Sequence, residues 1–256
     1  DLKLSRGLGD VYKRQYIATW VDDLIIATNE PDPKTIYQEC VNEGYDISLF
    51  EKINKYLGVR WRIDEKKFEF DQLEYIESLL TQHGMSDSKP VTTPMNEKPS
   101  MADTTSGQLQ DLARQQANHE ISDKEAEQLT KEIHEQKAYL EKMKNQKRGY
   151  RNIIGGLSHL ARRARNEIQF ATFYLSRYQN DPGRKHYIAA KRILRYLQGT
   201  KNLTNRADLT KPLLEIYVDS DLAGDPDKNR STTGYTILMY GVPIATKSRL
   251  QQEPTK

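Results

Sequence analysis

Two short apolar runs with a pair of aspartates between them restrict the fold of this chain most. Residues 16–21 and 24–27 are rich in β-favouring side chains, and Asp22 and Asp23 separate them. Strand-forming runs this close together are typical of a tight hairpin. The sequence therefore predicts an antiparallel hairpin with the two aspartates at its turn.

Further helix and hairpin patterns follow the first hairpin. Apolar spacing predicts a short helix, and β-favouring residues at 55–63 and 68–70 predict a second hairpin. Asp71 is expected to cap a helix that ends at Gly84, because glycine accepts the left-handed conformation at a helix end. These elements predict an α+β fold with helices on one face of an antiparallel sheet.

The composition changes twice in the middle of the chain. Residues 87–106 are rich in Ser, Thr, Pro and Asp, which is typical of a linker. Residues 108–147 contain no glycine or proline and predict a solvated amphipathic helix. Its apolar positions alternate in steps of three and four, so a coiled coil that associates two chains through residues 126–143 is the second interpretation.

Charge is distributed unevenly along the chain. The whole sequence has 39 lysines and arginines against 36 acids, a net charge of +3. Residues 148–206 alone hold thirteen lysines and arginines against two acids, a net charge of +11. Apolar spacing in this basic segment predicts three helices, at 153–163, 168–178 and 185–197.

Composition excludes several classes of protein. One cysteine, Cys40, allows neither an internal disulfide nor a cysteine-based zinc site, and it indicates a reducing compartment inside the cell. Apolar runs are a few residues long, whereas a membrane helix needs about 20. We therefore expect a cytoplasmic protein with no membrane partner.

Adjacent aspartates also suggest metal chemistry. Two carboxylates in close contact raise each other's pKa unless a cation neutralises them, and Mg²⁺ prefers oxygen ligands of this kind. In nucleotidyl transfer, one ion activates the attacking 3′-hydroxyl while a second stabilises the leaving pyrophosphate. Taken alone, two adjacent aspartates such as Asp22 and Asp23 more often belong to an ordinary turn than to a metal site. Other parts of the sequence are needed to distinguish the two interpretations.

Six ordered blocks resemble the copia-type LTR retrotransposon Pol polyproteins. Residues 20–23 look like the Tyr-x-Asp-Asp hairpin of reverse transcriptases, and residues 56–59 resemble the Leu-Gly element that grips the primer. The other similar blocks lie at 75–95, 150–161, 189–200 and 217–225. Their common order along the chain argues against a chance resemblance.

The resemblance implies a fold and a division into segments. The expected fold is a reverse-transcriptase palm and thumb fragment, a helical connection and a truncated ribonuclease H-like sheet. Residues 1–15 instead resemble a translated sequencing adapter and are left out of this division. The implied segments are the palm and thumb at 16–95, a charged helical linker or insertion at 96–149, the basic helical connection at 150–206 and the N-terminal part of the ribonuclease H domain at 207–256.

The same resemblance implies catalytic residues and a cofactor. Asp22 and Asp23 match the catalytic, metal-binding carboxylates of the polymerase site. Asp219, at the end of a predicted strand, matches the first metal-binding carboxylate of the ribonuclease H site. The implied ion is Mg²⁺ or Mn²⁺. Asp221 and Asp225 belong to the same block and are expected to cap the following turn.

Two strands are predicted near the end of the sequence. They lie at 213–219 and 233–240 and are joined by an acidic and polar turn. The later strands and helices of the family's ribonuclease H domain would follow residue 256. We therefore expect this sheet to have an exposed and poorly stabilised edge.

Nucleic-acid contacts are expected in two places. Trp20, which stands where the family usually has tyrosine, and the pair Leu57 and Gly58 match residues near the primer terminus. Basic side chains of the helices are expected to follow a phosphate backbone, because neutralised phosphates release counterions. These side chains are Arg162, Arg163, Arg165, Lys191, Arg192 and Arg195. A solvated basic face without nucleic acid is the other interpretation of the segment.

The implied parent protein is an RNA-directed DNA polymerase with ribonuclease H activity, which uses an RNA or DNA template-primer, dNTP and an RNA–DNA hybrid. The family's third polymerase aspartate is expected before residue 16 and its other ribonuclease H carboxylates after residue 256, so the chain alone is expected to be inactive. A non-catalytic nucleic-acid-binding remnant of a decayed element is the alternative. In the family the protein works in a cytoplasmic virus-like particle, with a later nuclear stage.

Overall fold

Helices and antiparallel strands occur together in the computed structural model, which confirms the α+β class. The chain divides into two compact units, of which the first ends at Tyr56 and the second begins at Leu57. We describe each unit by itself. The structure describes residues 15–20, 23–29, 32, 34–48, 53–64, 67–145 and 149–252.

The first unit contains the predicted N-terminal hairpin. Strands β1 (Gln15–Trp20) and β2 (Asp23–Thr28) pair antiparallel, with Trp20 opposite Asp23. Helix α1 (Lys34–Asn42) follows, and strand β3 (Lys55–Tyr56) completes the unit. The predicted antiparallel hairpin is confirmed by this pairing. The prediction that both aspartates lie at the turn is wrong for Asp23, which begins β2.

The second unit opens with the second predicted hairpin. Strands β4 (Val59–Ile63) and β5 (Phe68–Asp71) pair antiparallel, and helix α2 (Leu73–Gln82) follows directly. Asp71 ends β5 instead of capping α2 in the predicted way, although its Oδ1 accepts the Leu73 N–H at 3.1 Å. Its buried carboxylate also forms an ion pair with Arg60 at 3.0 Å.

A break divides the long helix predicted at 108–147. Helices α3 (Thr105–Ala117) and α4 (Asp123–Asn145) are separated by a turn in which His119 has a φ of 57°. Ser122 and Glu125 start α4 as a reciprocal cap, with the Ser122 N–H donating to Glu125 Oε2 at 2.9 Å. Among the helices described, none is both long and apolar enough to cross a membrane.

Three helices form the centre of the second unit. They are α5 (Tyr150–Ala161), α6 (Gln169–Ser176) and α7 (Arg184–Thr200), close to the predicted positions. Their apolar stripes meet in one core with the buried face of α2. Gly156 allows α2 to come close to α5, since an added Cβ there would lie 2.4 Å from Leu79 Cδ1. Fully buried core residues include Ile153, Leu157, Leu160, Ile193, Leu194 and Leu197.

A three-stranded antiparallel sheet ends the described chain. After the short strand β6 (Asn205–Arg206), which pairs with β5, the strands β7 (Glu215–Asp221), β8 (Thr232–Met239) and β9 (Val242–Leu250) follow in the order β7-β8-β9. Strand β9 is additional to the prediction. Strand β7 is an edge strand, because among the described residues it pairs only with β8. Its Val218 side chain is 72% exposed. The predicted poor stability of this edge stays a prediction.

The segment predicted as a linker packs against the helices. We call residues 89–103 the strap. Arg195 Nε donates to the Lys89 carbonyl at 2.7 Å, and Arg192 Nη2 donates to Thr93 Oγ1 at 2.9 Å. The Tyr174 hydroxyl donates to the Pro99 carbonyl at 2.9 Å. The composition of this segment correctly indicated irregular backbone, but the strap is held along α7 and α6 by side-chain donors.

Two aspartates in the turn after β7 attach the sheet to the helices. Asp225 Oδ1 accepts from Arg177 Nη1 at 2.8 Å, and Asp225 Oδ2 accepts the Lys228 N–H at 3.1 Å. Asp227 accepts from the Tyr178 hydroxyl and from the strap's Met101 N–H, each at 2.7 Å. The turn-capping role predicted for Asp225 is confirmed, and the turn also connects the sheet to α6 and the strap.

Removing the Asp225 carboxylate should destabilise the second unit. Asp225→Ala leaves Arg177 without its partner, and we expect a loss of about 2 kcal/mol in the free energy of unfolding. Urea unfolding followed by circular dichroism measures the change. Asp219→Ala, at an exposed position on β7, is the control and should change the free energy by less than about 0.5 kcal/mol. Equal effects of the two substitutions would contradict the attachment.

Candidate nucleic-acid interface

The turn at Leu57 and Gly58 is held by the end of α5. Both residues have left-handed backbone conformations, with φ values of 51° and 74°. The Arg163 guanidinium donates from Nη1 to the Leu57 carbonyl. Glycine suits the second position because a side chain in this left-handed conformation would be strained. The structure therefore brings together three of the residues predicted to bind nucleic acid.

The chain turns tightly after α5 and sends its arginines in different directions. The N–H groups of Arg163 and Arg165 both donate to the Leu160 carbonyl, at 3.1 and 3.0 Å. Arg162 is exposed, with its guanidinium carbon 5.4 Å from the centre of the Phe173 ring. Arg163 reaches the Leu57 turn. Arg162 and Arg163 therefore leave positive charge at the surface next to a backbone turn.

Arg165 lies apart from this surface. It is 2% exposed, and its guanidinium donates to the Thr200 carbonyl at 3.2 Å and to Thr200 Oγ1 at 2.6 Å. It also forms an ion pair with Glu167 at 2.6 Å. Arg165 thus connects the C-terminal ends of α5 and α7, and in this conformation its donors do not face a phosphate backbone.

The three predicted residues of α7 have other partners within the chain. Lys191 Nζ lies 4.9 Å from the centre of the Tyr187 ring. Arg192 and Arg195 donate to a hydroxyl and a carbonyl of the strap, as described above. These acceptors are neutral, so the charge of both arginines remains uncompensated although their side chains are half-buried. A phosphate would be a stronger partner for each guanidinium than a neutral oxygen.

Ion pairing separates the basic residues into two groups. Lys185 pairs with Asp103 at 2.8 Å, Lys201 with Glu77 at 2.9 Å and Arg206 with Glu69 at 3.5 Å. In the part of the chain that the structure describes, no ion pair involves Arg162, Arg163, Arg192 or Arg195. These four side chains belong to the uncompensated positive charge of the helices, to which Arg151, Arg184 and Lys191 also contribute among the described residues.

His159 and Tyr75 also belong to this site, although the sequence did not suggest a role for either. Their rings pack with centres 4.5 Å apart. Burial and the nearby Arg163 charge lower the pKa of His159, and burial raises the pKa of Tyr75. The four-residue spacing between His159 and Arg163, inside the helix predicted at 153–163, is the one signal in the sequence that relates them, although α5 itself ends at Ala161.

Of the two predicted polymerase carboxylate residues, the structure describes only the backbone of Asp23. Asp22 lies outside the described residues. The backbone of Asp23 begins β2, opposite Trp20 at the end of β1. The side chains of Asp23 and Trp20 are also outside the description. The structure gives the antiparallel pairing of β1 and β2, with Asp23 inside β2.

Asp219 lies exposed in the middle of β7, opposite Gly234. Its Oδ1 accepts the Ser220 N–H at 2.8 Å. Asp221 lies two residues further on the same face of the strand and forms an ion pair with Lys98 at 3.2 Å. Carboxylate oxygens suit Mg²⁺ or Mn²⁺, but the described residues contain no group of three or more possible ligands.

The chain is similar to transposon Pol polyproteins over nearly its whole length. It is 29% identical over 253 residues to the retrovirus-related Pol polyprotein from transposon RE1 of Arabidopsis thaliana, covering 97% of this chain and 14% of that protein. It is 28% identical over 236 residues to the corresponding polyprotein from transposon TNT 1-94 of Nicotiana tabacum, covering 91% and 16%. For transposon RE2 of Arabidopsis thaliana the identity is 27% over 241 residues, covering 93% and 14%.

The chain thus spans about one sixth or less of the length of these relatives. No protein-family model and no solved structure matches the chain.

The lowered pKa of His159 should make stability depend on pH. The unfolded chain binds a proton on this ring near its ordinary pKa of 6.5, whereas the folded chain resists protonation until lower pH. The stabilising contribution is therefore complete above pH 6.5 and is lost as the pH falls below it. We expect His159→Gln to reduce the difference in unfolding free energy between pH 7.5 and pH 5.5, measured by urea unfolding.

The difference should not disappear in this variant, because burial also lowers the pKa of His186. A variant with the full pH dependence of the unsubstituted chain would contradict the assignment to His159.

Proposed function

Because the chain belongs to the retrovirus-related Pol polyproteins of transposons, we propose that it carries part of an RNA-directed DNA polymerase and the beginning of its ribonuclease H domain. The observation that carries this proposal is the contact between Arg163 and the Leu57 carbonyl. It joins the turn that resembles a primer-gripping element to the basic helices. One surface then presents both kinds of nucleic-acid contact expected from the sequence.

The charge on this surface suits a phosphate backbone. Arg162 is exposed, and Arg163, Arg192 and Arg195 have only neutral acceptors or aromatic neighbours in the described structure. Each phosphate that such side chains neutralise releases counterions, which favours binding without regard to sequence. Contacts of this kind fix the position of a duplex but do not read its bases. A template-primer or an RNA–DNA hybrid is the proposed partner.

Catalysis is proposed for a longer polyprotein that contains this chain. In it, Asp22 and Asp23 would hold Mg²⁺ or Mn²⁺ for polymerisation with dNTP, and Asp219 would be a ligand at the ribonuclease H site. The bound ions would supply activation of the 3′-hydroxyl and stabilisation of the leaving pyrophosphate. The residues of this chain would position the template-primer so that its terminus stays in place.

A non-catalytic nucleic-acid-binding remnant is the second candidate. It is favoured by one observation, that the unpaired arginines of the basic surface could bind a phosphate backbone without any catalytic carboxylate. The two candidates share the same nucleic-acid surface and differ only in chemistry, so binding and catalysis have to be tested separately.

The exposed and unpaired arginines should dominate binding by this chain. We expect Arg162→Ala/Arg163→Ala to weaken binding to an RNA–DNA hybrid about tenfold near 0.1 M salt and to lower the slope of log K against log salt by about one to two units. Fluorescence anisotropy at several salt concentrations measures both quantities.

Lys185→Ala/Arg206→Ala is the matched control, since it removes the same charge from two ion-paired residues. Its effect should stay below about twofold. An equal loss in both variants would show that net charge, and not this surface, determines binding.

In the longer polyprotein, Asp22→Asn and Asp23→Asn should each reduce Mg²⁺-dependent primer extension by at least about 100-fold, because each removes a charged metal ligand. Asp219→Asn should reduce cleavage of the hybrid and leave primer extension intact. Asp46→Asn, at an exposed position of the same unit as the hairpin, is the control. Full primer extension by the Asp22 variant would contradict the site, and a polyprotein that binds but never extends a primer would favour the remnant.

A further inference from the structure

An open groove of about 600 Å³ lies between α4 and α7. Of the residues that line it, only Lys191 was predicted to bind nucleic acid. One wall carries Glu132 and Glu135 of α4, and the other carries Arg184 and Lys191 of α7. In the described structure, none of these four residues takes part in an ion pair. The groove therefore has two walls of opposite charge that do not neutralise each other.

Exposed apolar side chains also line the groove. Tyr139 of α4 is 52% exposed and Ile188 of α7 is 55% exposed. Large exposed apolar side chains beside charged residues are typical of a protein contact surface. The arrangement would suit a helix that presents an apolar ridge with charged residues on either side.

We propose that the occupant is a second copy of this chain, related by a two-fold axis, with the groove-lining face of α4 of each copy packed against the groove-lining face of α7 of the other. A two-fold interface requires a surface that is complementary to itself. This groove meets the requirement, because the acidic wall of one copy would face the basic wall of the other twice over. Tyr139 of each copy would then cover Ile188 of the other.

Other partners fit the charges less well. A nucleic acid would be repelled by Glu132 and Glu135, so this groove lies outside the proposed nucleic-acid interface. A partner of one charge would be opposed by one of the two walls. A copy of the same chain presents both signs in the required places.

The proposal changes the surface expected for self-association. The sequence suggested a coiled coil along the seam from Ala126 to Met143. In the structure Ala126 is buried, and Leu140 and Met143 pack on the helical core of their own chain. The association surface is therefore the neighbouring face of α4, which carries Glu132, Glu135 and Tyr139.

Sedimentation equilibrium of the full chain tests the proposal. The unsubstituted chain should reach twice its monomer mass. Glu132→Lys/Glu135→Lys and Arg184→Glu/Lys191→Glu should each be monomeric, because like charges then meet at both contacts. An equimolar mixture of the two variants should regain the dimer, since every contact joins opposite charges again. Glu120→Lys/Glu127→Lys, exposed residues outside the groove, is the charge-matched control and should remain dimeric.

Two further measurements keep the test informative if a charge variant does not fold, which circular dichroism would detect. Tyr139→Ala should raise the dissociation constant of the dimer at least about tenfold. The dissociation constant of the unsubstituted chain should also rise with salt, because the contacts are charged. A monomer at every accessible concentration would overturn the proposal, and so would a dimer that survives both charge reversals or a mixture that stays monomeric.

Discussion

Burial of the apolar stripes of α5 and α7 is the interaction on which the second unit depends. Ile153, Leu157, Ile193 and Leu197 are fully buried in one core with α2 and α6. Once these stripes face inward, the basic residues of the same helices must lie on the remaining faces. The core therefore determines which arginines reach the surface, and it gives the strap and the sheet a fixed body to pack against.

The positive charge of the helical segment has two uses in the folded chain. Arg177 and Lys185 are paired with Asp225 and Asp103, and these pairs attach the sheet and the strap to the helices. Arg162 and Arg163 have no such partners in the described structure and are available to an external anion. The net charge of +11 read from the sequence therefore overstates the charge that a nucleic acid would meet, because part of it stabilises the unit itself.

Short-range patterns in the sequence predicted the helices and strands well, but they could not predict contacts between residues far apart in the sequence. The hairpins and the helices α5 and α7 follow from spacing that a few neighbouring residues encode. Arg165 resembles Arg162 and Arg163 in the sequence, yet it is buried because the end of α7 supplies the Thr200 oxygens, 35 residues away. The packing of the strap could not be predicted for the same reason. Irregular backbone has no sequence period, and the residues that hold the strap lie on α6 and α7. The contact of Arg163 with the Leu57 turn also depends on tertiary structure alone.

Hydrogen exchange of the chain with and without an RNA–DNA hybrid locates the bound nucleic acid on the molecule. If the hybrid binds where Arg163 meets the Leu57 turn, exchange should slow in the bound state at Leu57 and Gly58 and at residues 160–165, with no change at Glu132 to Tyr139 in the α4 groove. Unchanged exchange at both the turn and the end of α5, with hybrid bound, would show that the nucleic acid binds elsewhere.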